Sequence, residues 1–262
     1  MASEEHRKDS LVRSSEAVVT RSDTTTSSLD DHETPSLSVV LPTRNEEEGI
    51  SECLDRIHHV MDATDMEIEI IVSDSSTDHT PDIAQEYGAI VISPPSMGYG
   101  NAYKYAFERV HGDFVVIGDA DMSYDFEELP KLLTPLMEDE ADLVLGSRFK
   151  GRIEPGAMPA LHQYVGNPFL TAMLNRLFDA NVTDAHSGFR AVRRDVLVQL
   201  ELESDGMEFA SEMIMKAVSD GFRIREVPIT YHKRVGEATL ESFSDGWRHL
   251  KYMILNSSRV PR

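Results

Sequence analysis

The stretch Leu37-Ser38-Val39-Val40-Leu41-Pro42-Thr43-Arg44-Asn45-Glu46 decides the fold. A short apolar run stops at a proline and passes directly into a polar segment that ends in a carboxylate. A run of that length without polar alternation fits a strand buried on both faces, as in a parallel sheet. The same succession recurs as Ile68-Glu69-Ile70-Ile71-Val72 before Ser73-Asp74-Ser75-Ser76-Thr77-Asp78, and as Phe114-Val115-Val116-Ile117 before Gly118-Asp119-Ala120-Asp121. Between these strands the period changes. Ile50, Leu54, Ile57 and Met61 form a one-sided helical stripe over Glu46 to Met61, and Pro81–Tyr87 and Gly100–Val110 read as helices around a strand at Ala89–Ile92. A helix over Phe126–Met137 and a strand at Leu143–Leu145 continue the alternation, which predicts a doubly wound α/β protein with a mainly parallel central sheet flanked by helices.

Past Gly146 the rhythm loosens. A Gly/Pro-bearing loop through Arg152 and Pro159 leads to a helix at Phe169–Phe178, a loop at Asn181–Gly188, a helix at Met207–Val218 and a strand at Phe222–Tyr231. The final helix, Phe243–Leu255, sets Phe243, Trp247, Leu250 and Ile254 on one face beside Arg248 and Lys251, a composition that suits a membrane surface or packing on the body. Residues 1–35, rich in Ser, Thr, Asp and Glu, are expected to be a disordered tail. The expected division is therefore the tail, an α/β domain over 36–242, and a C-terminal amphipathic helix over 243–262.

Composition narrows the function. The 262 residues carry 46 Asp+Glu against 25 Lys+Arg, a formal charge of −21, which disfavours nucleic acid as a partner because the protein would repel phosphates. Arginine outnumbers lysine 18 to 7, and with the acid excess this predicts a high-salt cytoplasm, where screening removes the self-repulsion. The charge is uneven: Gly221–Arg262 has a net +4, leaving −25 on the first 220 residues, so the basic end invites an anionic partner. The single cysteine, Cys53, excludes a disulfide scaffold and a Cys-based zinc site. With no apolar run approaching the ~20 residues of a membrane span, the expectation is a cytoplasmic protein.

In an open parallel sheet, ligands bind beyond the carboxyl ends of the strands, where this chain places Glu46, Asp74, Asp119 and Asp121. Asp119 and Asp121 flank one small residue, so both side chains can reach the same divalent cation, Mg²⁺ or Mn²⁺ by ligand type. Gly98-Tyr99-Gly100 lacks a full dinucleotide fingerprint and reads as a tight turn. No P-loop lysine motif, Cys/His metal cluster or Gly-x-Ser-x-Gly elbow occurs.

Taken in order, Val40-Leu41-Pro42-Thr43-Arg44-Asn45-Glu46, Val72–Asp78, Asp119-Ala120-Asp121, Gly146-Ser147-Arg148 and Ser187-Gly188-Phe189-Arg190 resemble a family 2 glycosyltransferase of the GT-A fold, and within it the dolichyl-phosphate mannose and glucose synthases. The resemblance covers about Leu37 to Leu250. It implies that Pro42, Arg44, Glu46 and Asp74 surround the nucleotide, with Asp74 accepting a base N–H. It also implies that Asp119 and Asp121 bind the metal that bridges the donor pyrophosphate, with Ser123 as a further ligand where relatives often carry Gln. Arg234 matches an arginine that closes over the pyrophosphate, and Ala238-Thr239 stand where Ser-Lys is usual. Arg148 and His162 match the arginines that hold the acceptor phosphate, with Arg190 a third candidate. Each has a structural alternative: Arg148 could pair with a sheet-end carboxylate, His162 could cap a helix and Arg190 could serve packing.

The implied activity is metal-dependent, inverting transfer of mannose or glucose from GDP-mannose or UDP-glucose to dolichyl or polyprenyl phosphate, at the cytoplasmic face of the membrane and without a spanning segment. Glu208, Glu212 and Asp184 are candidates for a base or for loop anchors. A phosphomonoester, with a second pKa of about 6, is already an anion near neutral pH and makes a base dispensable. Transfer to a glycan hydroxyl, which needs a base, and a non-catalytic nucleotide-sugar-binding subunit are the alternatives.

Overall fold

The computed structural model describes residues 36–64, 66–236 and 242–257, with side chains described at all of these except 242–245. The expected tail, Ala238-Thr239 and the side chain of Phe243 lie outside the described residues. The elements are β1 (Leu37–Thr43), α1 (Ile50–Ala63), β2 (Ile68–Asp74), α2 (Thr80–Glu86), β3 (Ile90–Ile92), α3 (Tyr99–Phe107), β4 (Phe114–Ile117), α4 (Leu129–Met137) entered by a 3₁₀ turn, β5 (Leu143–Ile153), α5 (Asn167–Phe178) entered by a π-helical turn (His162–Gly166), β6 (Arg190–Arg193), α6 (Arg194–Gln199), α7 (Phe209–Ser219), β7 (Ile224–Tyr231) and α8 (Ser242–Asn256).

One seven-stranded sheet runs in the order β3-β2-β1-β4-β6-β5-β7. β1 pairs in parallel with β2 on one side, from Leu37↔Ile68 to Thr43↔Asp74, and with β4 on the other, from Leu37↔Phe114. The chain order therefore reverses between β1 and β4, and the crevice at their carboxyl ends is where such a sheet binds ligand. Alternation along β1 fills both sides. Leu37, Val39 and Leu41 join α1, α2 and α4 in one core, while Val40 joins α3, α5, α6, α7 and α8 in the other.

Three features depart from expectation. Arg190–Arg193 forms β6, antiparallel between β4 and β5, although only Ala191 and Val192 are apolar; pairing on both sides supplies what its own pattern lacks. β5 runs on through Ile153, where a loop was expected, and bulges between Ser147 and Arg152 against β7. Gly151 permits that crossing, since a Cβ there would collide with the Ile229 carbonyl oxygen. Helix α1 begins at Ile50 and not at Glu46, because Asn45 takes a left-handed φ of 59° and Glu46–Gly49 closes a turn through Gly49 N–H to Glu46 O at 3.0 Å.

Candidate active site

The loop that leaves β4 carries the central carboxylates. Asp121 is buried; its Oδ1 accepts the Ser123 N–H at 2.9 Å, which curls the loop and accompanies a left-handed φ of 64° at Met122. The segment after β7 is laced to the same loop, with His232 N–H donating to Ser123 O and Val235 N–H to Asp121 O, both at 2.9 Å. This lacing delivers Arg234, whose guanidinium lies 3.5 Å from Asp121 Oδ2 and 3.3 Å from Glu46 Oε1. Three strand ends, distant in sequence, thus meet in one cluster of Glu46, Asp119, Asp121 and Arg234.

Its electrostatics are unbalanced. Burial, then repulsion from Asp121, pushes Asp119 up to about 7 despite the hydrogen bond it accepts from the Tyr99 hydroxyl at 3.2 Å. Burial and the same repulsion raise Glu46 to about 7, with Arg234 only partly offsetting them. Three carboxylates around one guanidinium are a set of hard oxygen donors with spare negative charge, which fits a divalent cation. Among the described residues no cluster of three His, Cys, Asp or Glu is arranged to hold a metal unaided. Mg²⁺ commonly binds through one or two carboxylates and completes its shell with water and substrate phosphate, so the Asp119/Asp121 pair suffices. Ser123, also expected to be a ligand, is buried two residues beyond Asp121.

The β1–β2 pairing brings the nucleotide-binding candidates together. Asp74 sits opposite Thr43; its Oδ1 accepts from the Thr43 hydroxyl at 2.7 Å and the Ser76 hydroxyl at 2.6 Å, and its Oδ2 from the Ser76 N–H at 3.1 Å. Asn45 N–H donates to Ser76 Oγ, Thr77 N–H to Asn45 Oδ1 and Glu46 N–H to Thr80 Oγ1, each at 2.8–2.9 Å. The two loops form one hydrogen-bonded wall, with half-buried Pro42 and exposed Arg44 along it.

The remaining candidates are placed less as the resemblance implied. Arg148 is buried against Asp184: its Nε donates to Oδ2 and its Nη2 to Oδ1, both at 2.7 Å, and its backbone N–H reaches Oδ2 at 3.0 Å. This is a pairing with a carboxylate, as held open above, although Asp184 lies in the loop before β6 and not at a strand end. Arg190 is corrected as an acceptor ligand. It is 1% exposed, and its guanidinium donates to the carbonyls of Ser187, Ala210 and Ala185 at 2.8–3.0 Å, which anchors the loop before β6. Glu212 is a loop anchor too, accepting the N–H groups of Glu203 and Ser204 at 2.8 Å. Glu208 precedes α7 with Oε2 buried and unpaired. His162 opens the π-helical turn, half-buried, and shares no hydrogen bond or ion pair with the carboxylate cluster.

Two residues of the site escaped the sequence reading of the residues themselves. Tyr99, read only as part of a tight turn, touches Asp119. Gly188 passes so close that a Cβ would lie 2.9 Å from Asp119 Oδ2, and its N–H donates to the Tyr124 hydroxyl at 2.7 Å. A tyrosine between two glycines at a strand exit was the available signal for the first, because those glycines let the turn press close to the 204–205 backbone.

Comparison with known proteins gives the family and the fold. The family model for glycosyl transferase family 2 matches residues 38–200. A low-salt glycan biosynthesis hexosyltransferase of Haloferax volcanii is 54% identical over 230 residues, covering 88% of this chain, which spans only 56% of that protein's length. A dolichyl-phosphate hexose transferase of the same organism is 37% identical over 211 residues, 80% of this chain and 89% of that protein. Among solved structures, glucosyl-3-phosphoglycerate synthase from Mycobacterium tuberculosis in complex with Mn²⁺, UDP-glucose and phosphoglyceric acid superposes with a TM-score of 0.70 at 25% identity, over 87% of this chain and 81% of that one. The architecture is the GT-A fold, and the chain belongs to glycosyl transferase family 2.

Proposed function

We propose that the protein transfers a hexose, with inversion, from a nucleotide sugar to a polyprenyl phosphate of the dolichyl type, using Mg²⁺ or Mn²⁺. The observation that carries this reading is the fate of the carboxylates. Asp184 is clamped by Arg148 and Glu212 by two backbone N–H groups, so neither is available as the base a hydroxyl acceptor requires. A phosphate acceptor needs none. Its oxygen attacks C1 of the hexose, the bond from C1 to the β-phosphate oxygen breaks, and the nucleoside diphosphate leaves with the electron pair; no proton moves.

Within that step, the wall built from Asn45, Ser76 and Asp74 would orient the nucleoside. Arg234, held at the cluster by Glu46 and Asp121, would face the charge that develops on the leaving diphosphate, where a preorganised cation is most effective. A divalent cation at Asp119 and Asp121 would supply Lewis-acid neutralisation of the same phosphates. The names of the Haloferax relatives and the Mn²⁺ and UDP-glucose of the mycobacterial structure support the donor and metal classes. Among the described residues no helix is long and apolar enough to cross a membrane. Access to a lipid acceptor would come from exposed apolar side chains: Leu161, Tyr164, Val165 and Phe169 around the start of α5, and Trp247, Ile254 and Leu255 on α8, which packs against α5.

The test is label transfer from GDP-mannose and UDP-glucose, separately, to dolichyl phosphate in detergent at high salt, with Mg²⁺, with EDTA, and in Asp121→Ala. Metal-dependent label in the lipid, lost in the variant, supports the reading. The unpaired Oε2 of Glu208 favours a second reading, transfer to a glycan hydroxyl with Glu208 as base. Loss of all activity in Glu208→Gln, with no lipid labelled by the unaltered protein, would establish that second reading over the first.

A further inference from the structure

Asp119 is boxed in by two pieces of chain that arrive from different directions. Tyr99 donates its hydroxyl from the start of α3, and Gly188 passes so close that a Cβ there would lie 2.9 Å from Asp119 Oδ2 and 3.1 Å from the Tyr99 hydroxyl oxygen. Both pieces lead back to the first turn of α7. The Phe209 ring meets the Tyr99 ring edge-on with centroids 6.2 Å apart, and the Ala210 carbonyl accepts from Arg190. The Ser211 hydroxyl lies 3.2 Å from His186 Nε2, two residues before Gly188.

Ser211 also reaches outward. Its hydroxyl is 2.7 Å from Nδ1 of His249 on α8, and the rings of His186 and His249 meet edge-on with centroids 4.5 Å apart. A hydroxyl has one proton, so it donates to one ring and accepts from the other, which joins the three side chains in a single chain of hydrogen bonds. Burial holds both imidazoles below the usual histidine range, aided at His186 by the neighbouring ring and at His249 by Arg190, so each is neutral near pH 7 with one N–H to give.

His249 is buried where α8 packs on α5 and α7, and Met253, one turn along, is fully buried in the same apolar core. An apolar side chain at 249 would serve that packing without the desolvation cost of an imidazole; what a hydrogen-bonded polar network adds is one defined seating. The loop it reaches is not slack. Arg190 holds the carbonyls of Ala185 and Ser187 on either side of His186, so a shift of the His186 ring is passed on to the Gly188 backbone.

We propose that His249 is a positioning residue for the reaction centre: through Ser211 and His186 it sets how closely Gly188 and Tyr99 approach Asp119, so that the seating of α8 governs how tightly the divalent cation and the donor diphosphate are held. The inference rests on the reading above that this cation and diphosphate sit at Asp119 and Asp121. It gives α8 a part in donor binding that is separate from any contact with lipid.

The experiment compares His249→Phe, which keeps a ring but no hydrogen bond, with His249→Asn, whose amide can reach Ser211 from the Nδ1 position. Two readouts are taken on the full chain at molar salt: hydrogen exchange of the 183–190 segment in EDTA, and Mn²⁺ affinity with UDP and separately with GDP, from the paramagnetic signal of free Mn²⁺. In His249→Phe the exchange should quicken and the Mn²⁺ affinity fall, each roughly 3- to 10-fold, the worth of one net hydrogen bond, and His249→Asn should recover most of both. Ser211→Ala should match His249→Phe, and the double variant should lose no more than either alone, because a single chain of bonds is cut. Unchanged exchange or unchanged Mn²⁺ affinity in His249→Phe would overturn the proposal, as would equal losses in His249→Asn or additive losses in the double variant. If the unaltered protein binds no Mn²⁺ with either nucleotide, the reading of the metal site fails, and the exchange rates alone decide whether His249 holds the loop against Asp119.

Discussion

Replacing Asp184 with asparagine tests whether the buried pair is the clamp described. In the folded protein Arg148 and Asp184 side chains are 7% and 0% exposed, and three hydrogen bonds of 2.7, 2.7 and 3.0 Å join them. The amide would keep the shape but leave the guanidinium charge uncompensated and turn one acceptor into a donor facing Arg148. Breaking such a pair on one side costs about 3–5 kcal/mol. For a body of this size each kcal/mol moves the midpoint about 2–4 °C, so the melting temperature should fall by about 6–20 °C. The assay is thermal and urea unfolding at fixed molar salt, and then at two lower salts, because a pair this buried is screened little and the difference between the proteins should hardly change. Arg148→Met combined with Asp184→Leu should recover most of the loss, since apolar replacement of both partners removes the desolvation cost along with the attraction. A loss under about 1 kcal/mol in Asp184→Asn, or a double variant whose loss equals the sum of the singles, would show that the pair does not hold the β5 exit to the 183–189 loop.

Asp121→Asn should raise the melting temperature of the metal-free protein at neutral pH, by relieving Asp119 and Glu46, while abolishing the further rise that Mn²⁺ gives the unaltered protein; scanning fluorimetry with EDTA and with Mn²⁺ reads both. The pH dependence follows from the same groups. Asp119 and Glu46 both sit at about 7 when folded against 3.8 and 4.5 ordinarily, so the folded state holds more protons than the unfolded one between about pH 4 and 7. Their contribution is lost as pH rises through 7. In EDTA the melting temperature of the unaltered protein should therefore fall relative to that of Asp121→Asn as pH rises from about 5 to about 8, and a flat difference would refute it. Trp247, the single tryptophan and 65% exposed, should shift its emission to the blue on mixing with anionic lipid vesicles at working salt, and unchanged emission would remove α8 from the membrane surface.

The order of elements was legible along the chain. Apolar runs closed by polar segments at Thr43, Asp74 and Gly118 mark strands buried on both faces, because a two-sided sheet leaves no room for alternation, and the carboxylates just past them fall where a parallel sheet binds ligands. A local pattern carries that much since burial constrains each residue of a central strand directly. What it could not carry is partnership. β6 holds its place through neighbours on both sides, although its ends are arginines. Arg148, Arg190 and Glu212 have the residue types of a substrate site, yet Asp184, three carbonyls and two N–H groups claim them at separations of up to 36 residues. A charged side chain reads the same in sequence whether it meets a ligand or a neighbour, because its residue type reports its capacity to bond and only the packed backbone decides with whom.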